Sequence, residues 1–149
     1  MKRITLVILL SIVIKLIASA QPCLSDGITF TTQAEIDNFQ TNHPNCTEIE
    51  GDVEINGDDI TNLNGLSVVT SINGDLFIEY NPALTSLSGL DNLTSIVGDL
   101  HLYGNNALTN VTGLGNLTSI EGNLSIGFWI DLGGGGNNAL VNLIGLGNL

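Results

Sequence analysis

The sequence predicts an α+β repeat solenoid, in which a parallel β-sheet runs through about four stacked coils that follow a short helical segment. Three observations carry this. A unit of the form SIxGDLxIxxNxALTxLxGLxNLT recurs with a period of 24, its blocks opening at Ser71, Ser95 and Ser119 after a degenerate copy near Glu48. Glycines stay in register through the copies at 51, 74, 98 and 122, and again at 65, 89, 113 and 145. Within a unit Leu76 and Ile78 alternate with Asp75 and Phe77, which is the period of a short strand. Leu84, Leu87, Leu90 and Leu93 then follow at spacings of three, through Gly89, Asn92 and several Ser and Thr residues, a composition suited to extended corners or turns of a coil better than to a free α-helix, with a short helical turn as the alternative. The apolar side chains of one such unit cannot offset the entropy of ordering it, so neighbouring units must share a core and a strand ladder.

The elements follow in chain order. Lys2 and Arg3 precede an apolar run from Ile4 to Ile17 that leads into Ala18, Ser19 and Ala20. This is the pattern of a secretory signal peptide over residues 1–20, with cleavage after Ala20; Lys15 interrupts the run and makes an uncleaved anchor the poorer reading. In an exported chain the two cysteines, Cys23 and Cys46, are expected to form a disulfide. Between them Thr32 and Glu35 fit a capping box, and Ala34, Ile36 and Phe39 supply an apolar stripe before Pro44 stops the helix. Residues 21–47 therefore read as an N-terminal cap and residues 48–149 as about four repeats. The last copy is enlarged by eight residues, because Ile126 to Leu140 spans fourteen positions where Leu102 to Leu108 spans six. The added segment holds Phe128, Trp129 and the run Gly133 to Gly136, and predicts a bulging loop. The array breaks off inside a repeat at Leu149, which predicts a fragment of a longer array.

Charge excludes several functions. Lys2, Arg3 and Lys15 are the only basic residues, so the chain after Ala20 carries all 15 Asp and Glu against no Lys or Arg. A nucleic acid or an anionic membrane would be repelled, and lysine nucleophiles or arginine clamps are ruled out. Of the two histidines, His43 precedes Pro44 and His101 stands alone at an outward strand position. Neither has a GxSxG serine or a metal-ligand partner at helical spacing, and the glycine run lacks the Lys and Ser or Thr of a phosphate loop. The chain reads as a non-enzyme without cofactors. Asn45, Asn92, Asn110, Asn116 and Asn123 begin sequons, which a eukaryotic secretory host would read.

Three columns of residues remain. Asn81 and Asn105 follow the strand by three residues, with Asp58 in the corresponding place of the first copy, and predict an asparagine ladder that satisfies backbone groups at the adjacent turn. Asp52, Asp75 and Asp99 fall in another column, completed by Asn123. Stacked carboxylates repel, so either local hydrogen bonds hold them or Ca²⁺ condenses on them weakly; the calcium pattern of β-helical repeats is missing. The outward positions vary from coil to coil, as Glu54, Phe77, His101 and Ser125 and as Asn56, Glu79, Tyr103 and Gly127. Aromatic groups beside acids suit a ligand face, with Phe77, Glu79, His101, Tyr103 and Trp129 as its candidate residues.

The LxIxxN core, present as Leu76, Ile78 and Asn81 and as Leu100, Leu102 and Asn105, resembles the strand of leucine-rich repeats. The IxGDLxI spacing, and the start in which Cys23, a helix and Cys46 lead into EIEGDVEI, looks more like the L domains of growth-factor and insulin-type receptors; secreted bacterial repeat proteins are similar to both. The resemblance covers residues 23–149. It implies a right-handed solenoid with a disulfide-bonded N-terminal cap, acting outside the cell or at its surface in recognition or adhesion of an extracellular protein or glycan. A structural spacer in a larger surface protein is the alternative, with part of a carbohydrate-active enzyme behind it.

Overall fold

The computed structural model describes residues 22–127 and 136–149. The signal-peptide region, Phe128, Trp129 and most of the glycine run lie outside the described residues. Two five-stranded parallel sheets organise the rest, where the sequence reading expected one. The first sheet runs β1 (Pro22–Cys23), β3 (Glu48–Ile49), β5 (Ser71–Ile72), β7 (Ser95–Ile96) and β9 (Ser119–Ile120). The second runs β2 (Ile28–Phe30), β4 (Val53–Ile55), β6 (Leu76–Glu79), β8 (Leu100–Tyr103) and β10 (Leu124–Ile126). Ser71 and Ile72 therefore belong to a strand of their own, separated from Leu76 by a corner at Gly74. Register partners such as Leu76 and Leu100, or Ser95 and Ser119, are identical positions of successive copies.

Close approach explains the corner glycines. A Cβ on Gly98 would lie 2.6 Å from the carbonyl carbon of Gly74, and one on Gly74 would lie 2.6 Å from that of Gly51. The glycine backbones thus sit directly on one another, and no side chain fits between coils there. The three-residue leucine spacing has an equally local cause: the N–H groups of Leu84, Leu90 and Leu93 donate to the carbonyls of Asn81, Leu87 and Leu90. Successive turns closed over three residues return each leucine to the same side of the chain, and Leu84, Leu87, Leu90 and Leu93 are all buried. The same turns recur around Leu108, Leu114 and Leu117, with short 3₁₀ segments at Asn64–Leu66 and Thr112–Leu114. One continuous core runs from Phe30 through Leu76 and Leu100 to Leu117, an arrangement that fits a β-solenoid-like fold.

The segment between the cysteines differs from a plain helical cap. Helix α1 covers only Gln33–Asp37 and α2 only Phe39–Asn42, about one turn each. The preceding residues form β1 and β2, which pair with β3 and β4 and extend both sheets. These two strands are too short to show a period in the sequence, and backbone pairing with the next coil, not side-chain pattern, creates them. The capping box is present: Thr32 Oγ1 accepts the Glu35 N–H, while Glu35 accepts the N–H groups of Thr32 and Thr31, and the Thr31 bond above all holds its carboxyl below the usual range. Ile36 and Phe39 are buried, but Ala34 of the expected stripe is exposed. The Cys23–Cys46 disulfide closes this segment, its Cα atoms 5.6 Å apart.

Candidate binding face

The second sheet turns alternate side chains outward because its strands are pleated with a period of two. In β6 and β8 the pattern is strict: Leu76, Ile78, Leu100 and Leu102 are buried, and Phe77, Glu79, His101 and Tyr103 are half-buried on the opposite face. Register places Glu54, Phe77, His101 and Ser125 side by side, and Glu79 beside Tyr103. Four of the five residues expected from the sequence are thus neighbours; Trp129 lies outside the described residues.

The aromatic groups on this face are paired. Phe77 and His101 stack with ring centroids 4.9 Å apart and planes 10° from parallel. Tyr103 meets Tyr80 edge to face at 5.3 Å, and its hydroxyl donates to Glu79. Sequence reasoning missed Tyr80, which stands just beyond the strand and is 43% exposed. Its φ of 54° lies in the left-handed region and takes it out of the alternation. One signal was available: the next copy carries Gly104 there, where a Cβ would come within 2.8 Å of the Tyr80 ring. Glycine leaves room for that ring.

Burial acts on both members of the Glu79–Tyr103 pair. It pushes the Glu79 carboxyl above the ordinary range, with the Tyr103 hydrogen bond and the nearby His101 pulling partly back. Burial, followed by the hydrogen bond to Glu79, likewise raises the Tyr103 phenol. A carboxyl whose folded-state pKa is raised contributes stability below its unfolded value, near 4.5, and loses that contribution as pH rises through the folded value. Glu79→Gln is therefore expected to melt with the native chain at about pH 4 and above it at about pH 7. Thermal melts followed by circular dichroism check this; equal melting at both pH values would contradict the burial.

The aspartate column borders the same face. Asp52 Oδ1 accepts the Asp75 N–H at 2.8 Å, Asp75 Oδ1 accepts the Asp99 N–H at 2.7 Å, and Asp99 Oδ1 accepts the Asn123 N–H at 2.6 Å. Each carboxylate thus bonds the backbone of the next coil, where the sequence reading had looked to hydrogen bonds within its own coil. The Asn123 bond chiefly lowers the Asp99 carboxyl, and Asp99 Oδ2 also lies 3.5 Å from His101 Nε2. Among the described residues no group of three or more His, Cys, Asp or Glu is placed to hold a metal ion.

Behind the face runs the asparagine ladder. Asn81 Oδ1 accepts the Gly57 N–H, Asn105 Oδ1 accepts the Asn81 N–H, and Asn137 Oδ1 accepts the Asn105 N–H. Asp58, expected at its start, is exposed, and the first rung is the buried backbone of Gly57. Asn137 was not anticipated; it lies 32 positions after Asn105, which is one repeat plus the eight-residue enlargement. A second ladder also escaped notice, in which Asn92, Asn116 and Asn148 donate their amides to the carbonyls of Ser67, Asp91 and Gly115. Of the histidines, His43 packs on Phe39 at 5.4 Å.

No helix among the described residues is long and apolar enough to cross a membrane. Comparison with curated proteins and with solved structures finds no match. A comparison with protein families does: the Receptor L domain matches residues 45–124, more than half of the chain, a stretch that includes β4, β6, β8 and every described aromatic residue of the outer face. Receptor L domains are extracellular, non-enzymatic and bind ligands. Parallel sheets, the disulfide and this match agree, and the chain belongs to the receptor L-domain family.

Proposed function

We propose that this protein is exported through a signal peptide cleaved after Ala20 and acts outside the cell, free or surface-held, as a recognition module. Its ligand is an extracellular protein, bound on the outer face of β4, β6, β8 and β10. The disulfide-closed segment up to Thr47 caps the start of a right-handed solenoid and takes no part in binding. The observation that carries this reading is the set of paired aromatic side chains, Phe77 with His101 and Tyr80 with Tyr103, held half in solvent on and just beyond one sheet. Aromatic anchors on a pre-ordered surface bind at little entropic cost.

The test is an array of extracellular proteins, with a glycan array in parallel, probed with the labelled chain. Phe77→Ala and Tyr103→Ala are expected to weaken binding about thirtyfold each, the effect of truncating a central aromatic anchor. Trp129→Ala tests whether the enlarged last copy reaches the same ligand. Binding indifferent to Phe77→Ala and Tyr103→Ala would place the ligand elsewhere, and specific turnover of a glycan would replace recognition by catalysis.

A further inference from the structure

A binding face is matched by its partner in charge as well as in shape. On this one the acids are not neutralised from within. The three basic residues all precede residue 16, and the sheet carries Glu54 and Glu79, with Asp52, Asp75 and Asp99 just before its strands and His101 as the sole basic side chain among its outward positions. His101 is already engaged, stacked on Phe77 and 3.5 Å from Asp99. Among the described residues the Glu54 carboxylate is held by Thr29, whose hydroxyl donates to it at 3.4 Å.

The aromatic geometry points the same way. His101 covers one face of Phe77, from the β8 side, so the other face is turned toward β4, where Glu54 stands in register. A planar cation approaching from solvent between Phe77 and Glu54 meets the ring on one side and the Glu54 carboxylate on the other. Glu79 offers a second such place next to Tyr103 and the exposed Tyr80. The burial that disfavours the Glu79 carboxylate is offset when a cation sits against it.

We infer that the partner docks on this face through a polypeptide segment that presents arginine or lysine side chains, one over Phe77 against Glu54 and another over Tyr103 against Glu79. This rests on the binding-face reading above and adds the chemistry of the ligand. Arginine fits best, because its guanidinium stacks on rings and forks onto carboxylates. The remaining acids of the chain draw such a segment in from a distance.

The experiment measures binding of the full chain to a short fluorescent peptide of alternating arginine and serine. Parallel peptides carry citrulline, a neutral isostere, or glutamate in place of arginine. At physiological ionic strength the arginine peptide is expected to bind at least about tenfold more tightly than the citrulline peptide, and the glutamate peptide not to bind. Combining Glu54→Gln with Glu79→Gln should weaken the arginine peptide about tenfold, and Phe77→Ala should do the same. The control pair Asp37→Asn and Glu121→Gln removes the same charge away from the face and should change affinity less than about twofold. Equal losses from both pairs would reduce the effect to general charge attraction and overturn the inference. Equal binding of the citrulline peptide, still weakened by Phe77→Ala, would overturn the cationic partner while leaving the face intact. Failure of every peptide beside a glycan that binds in a Phe77-dependent way would likewise overturn the peptide and keep the face. Arginine-peptide binding indifferent to Phe77→Ala and to the Glu54 and Glu79 pair would sink both readings.

Discussion

Asn105→Leu is expected to lower the free energy of unfolding by about 4 kcal/mol, from the unpaired polar groups it would leave. Asn105 is fully buried, and each side of its amide is used. Its Oδ1 accepts from the backbone N–H and the side-chain amide of Asn81, at 3.2 and 3.0 Å. Its Nδ2 donates to the carbonyls of Ile78 and Tyr103, at 2.7 and 3.2 Å. Leucine matches the size but strands the Asn81 N–H and the Ile78 carbonyl in the buried interior. Each buried group left unpaired costs about 1–3 kcal/mol, whereas the same substitution at the exposed neighbour Asn106 should cost under about 0.5. Urea denaturation of the two variants, followed by circular dichroism, makes the comparison. A loss below about 1 kcal/mol at Asn105 would show that the ladder is dispensable.

Leu76→Asp should abolish cooperative folding altogether. Leu76 is fully buried between its register partners Val53 and Leu100, in the middle of the core. The substitution removes apolar contacts with both neighbouring coils and buries a carboxylate for which the chain offers no Lys or Arg after residue 15. The two penalties together exceed about 5 kcal/mol, a large part of the stability of an ordinary domain. Phe77→Asp, one residue further along the same strand, changes a half-buried outward position and should lower the melt only modestly, with cooperative unfolding kept, while weakening the aromatic surface. The contrast between adjacent residues tests the facing of the strand directly. A native-like melt for Leu76→Asp would mean that the alternation has been read with the wrong phase.

The inward residues were legible because the same burial requirement recurs in every copy. Leu76, Ile78, Leu100 and Leu102 could be assigned without coordinates, since a period of two repeated every 24 residues admits one consistent facing. The four outward residues of the candidate face followed from the same phase. The pairing of Phe77 with His101 did not, although the period implies that they are neighbours, because stacking depends on rotamers that the period leaves open. Tyr80 was missed for a different reason: its positive φ breaks the pattern by which outward residues are recognised, and the glycine at its place in the next copy was the one trace of it.

The sequence by itself determined the repeat, the direction in which the residues of β6 and β8 face, the asparagine at the turn and the acidic character of everything after the basic N-terminus. Each is local, or is repeated often enough to be read as if it were local. Only the tertiary structure decided that every coil carries two short strands in two sheets, that residues 22–30 extend both, and that Asn137 resumes the ladder after the enlarged loop. Strands of two or three residues have no period of their own, and a rung of the ladder is defined by the backbone N–H it reaches in a neighbouring coil. Such features exist only when one coil lies against the next, where hydrogen-bond partners some 23 to 32 residues apart are brought to within about 3 Å.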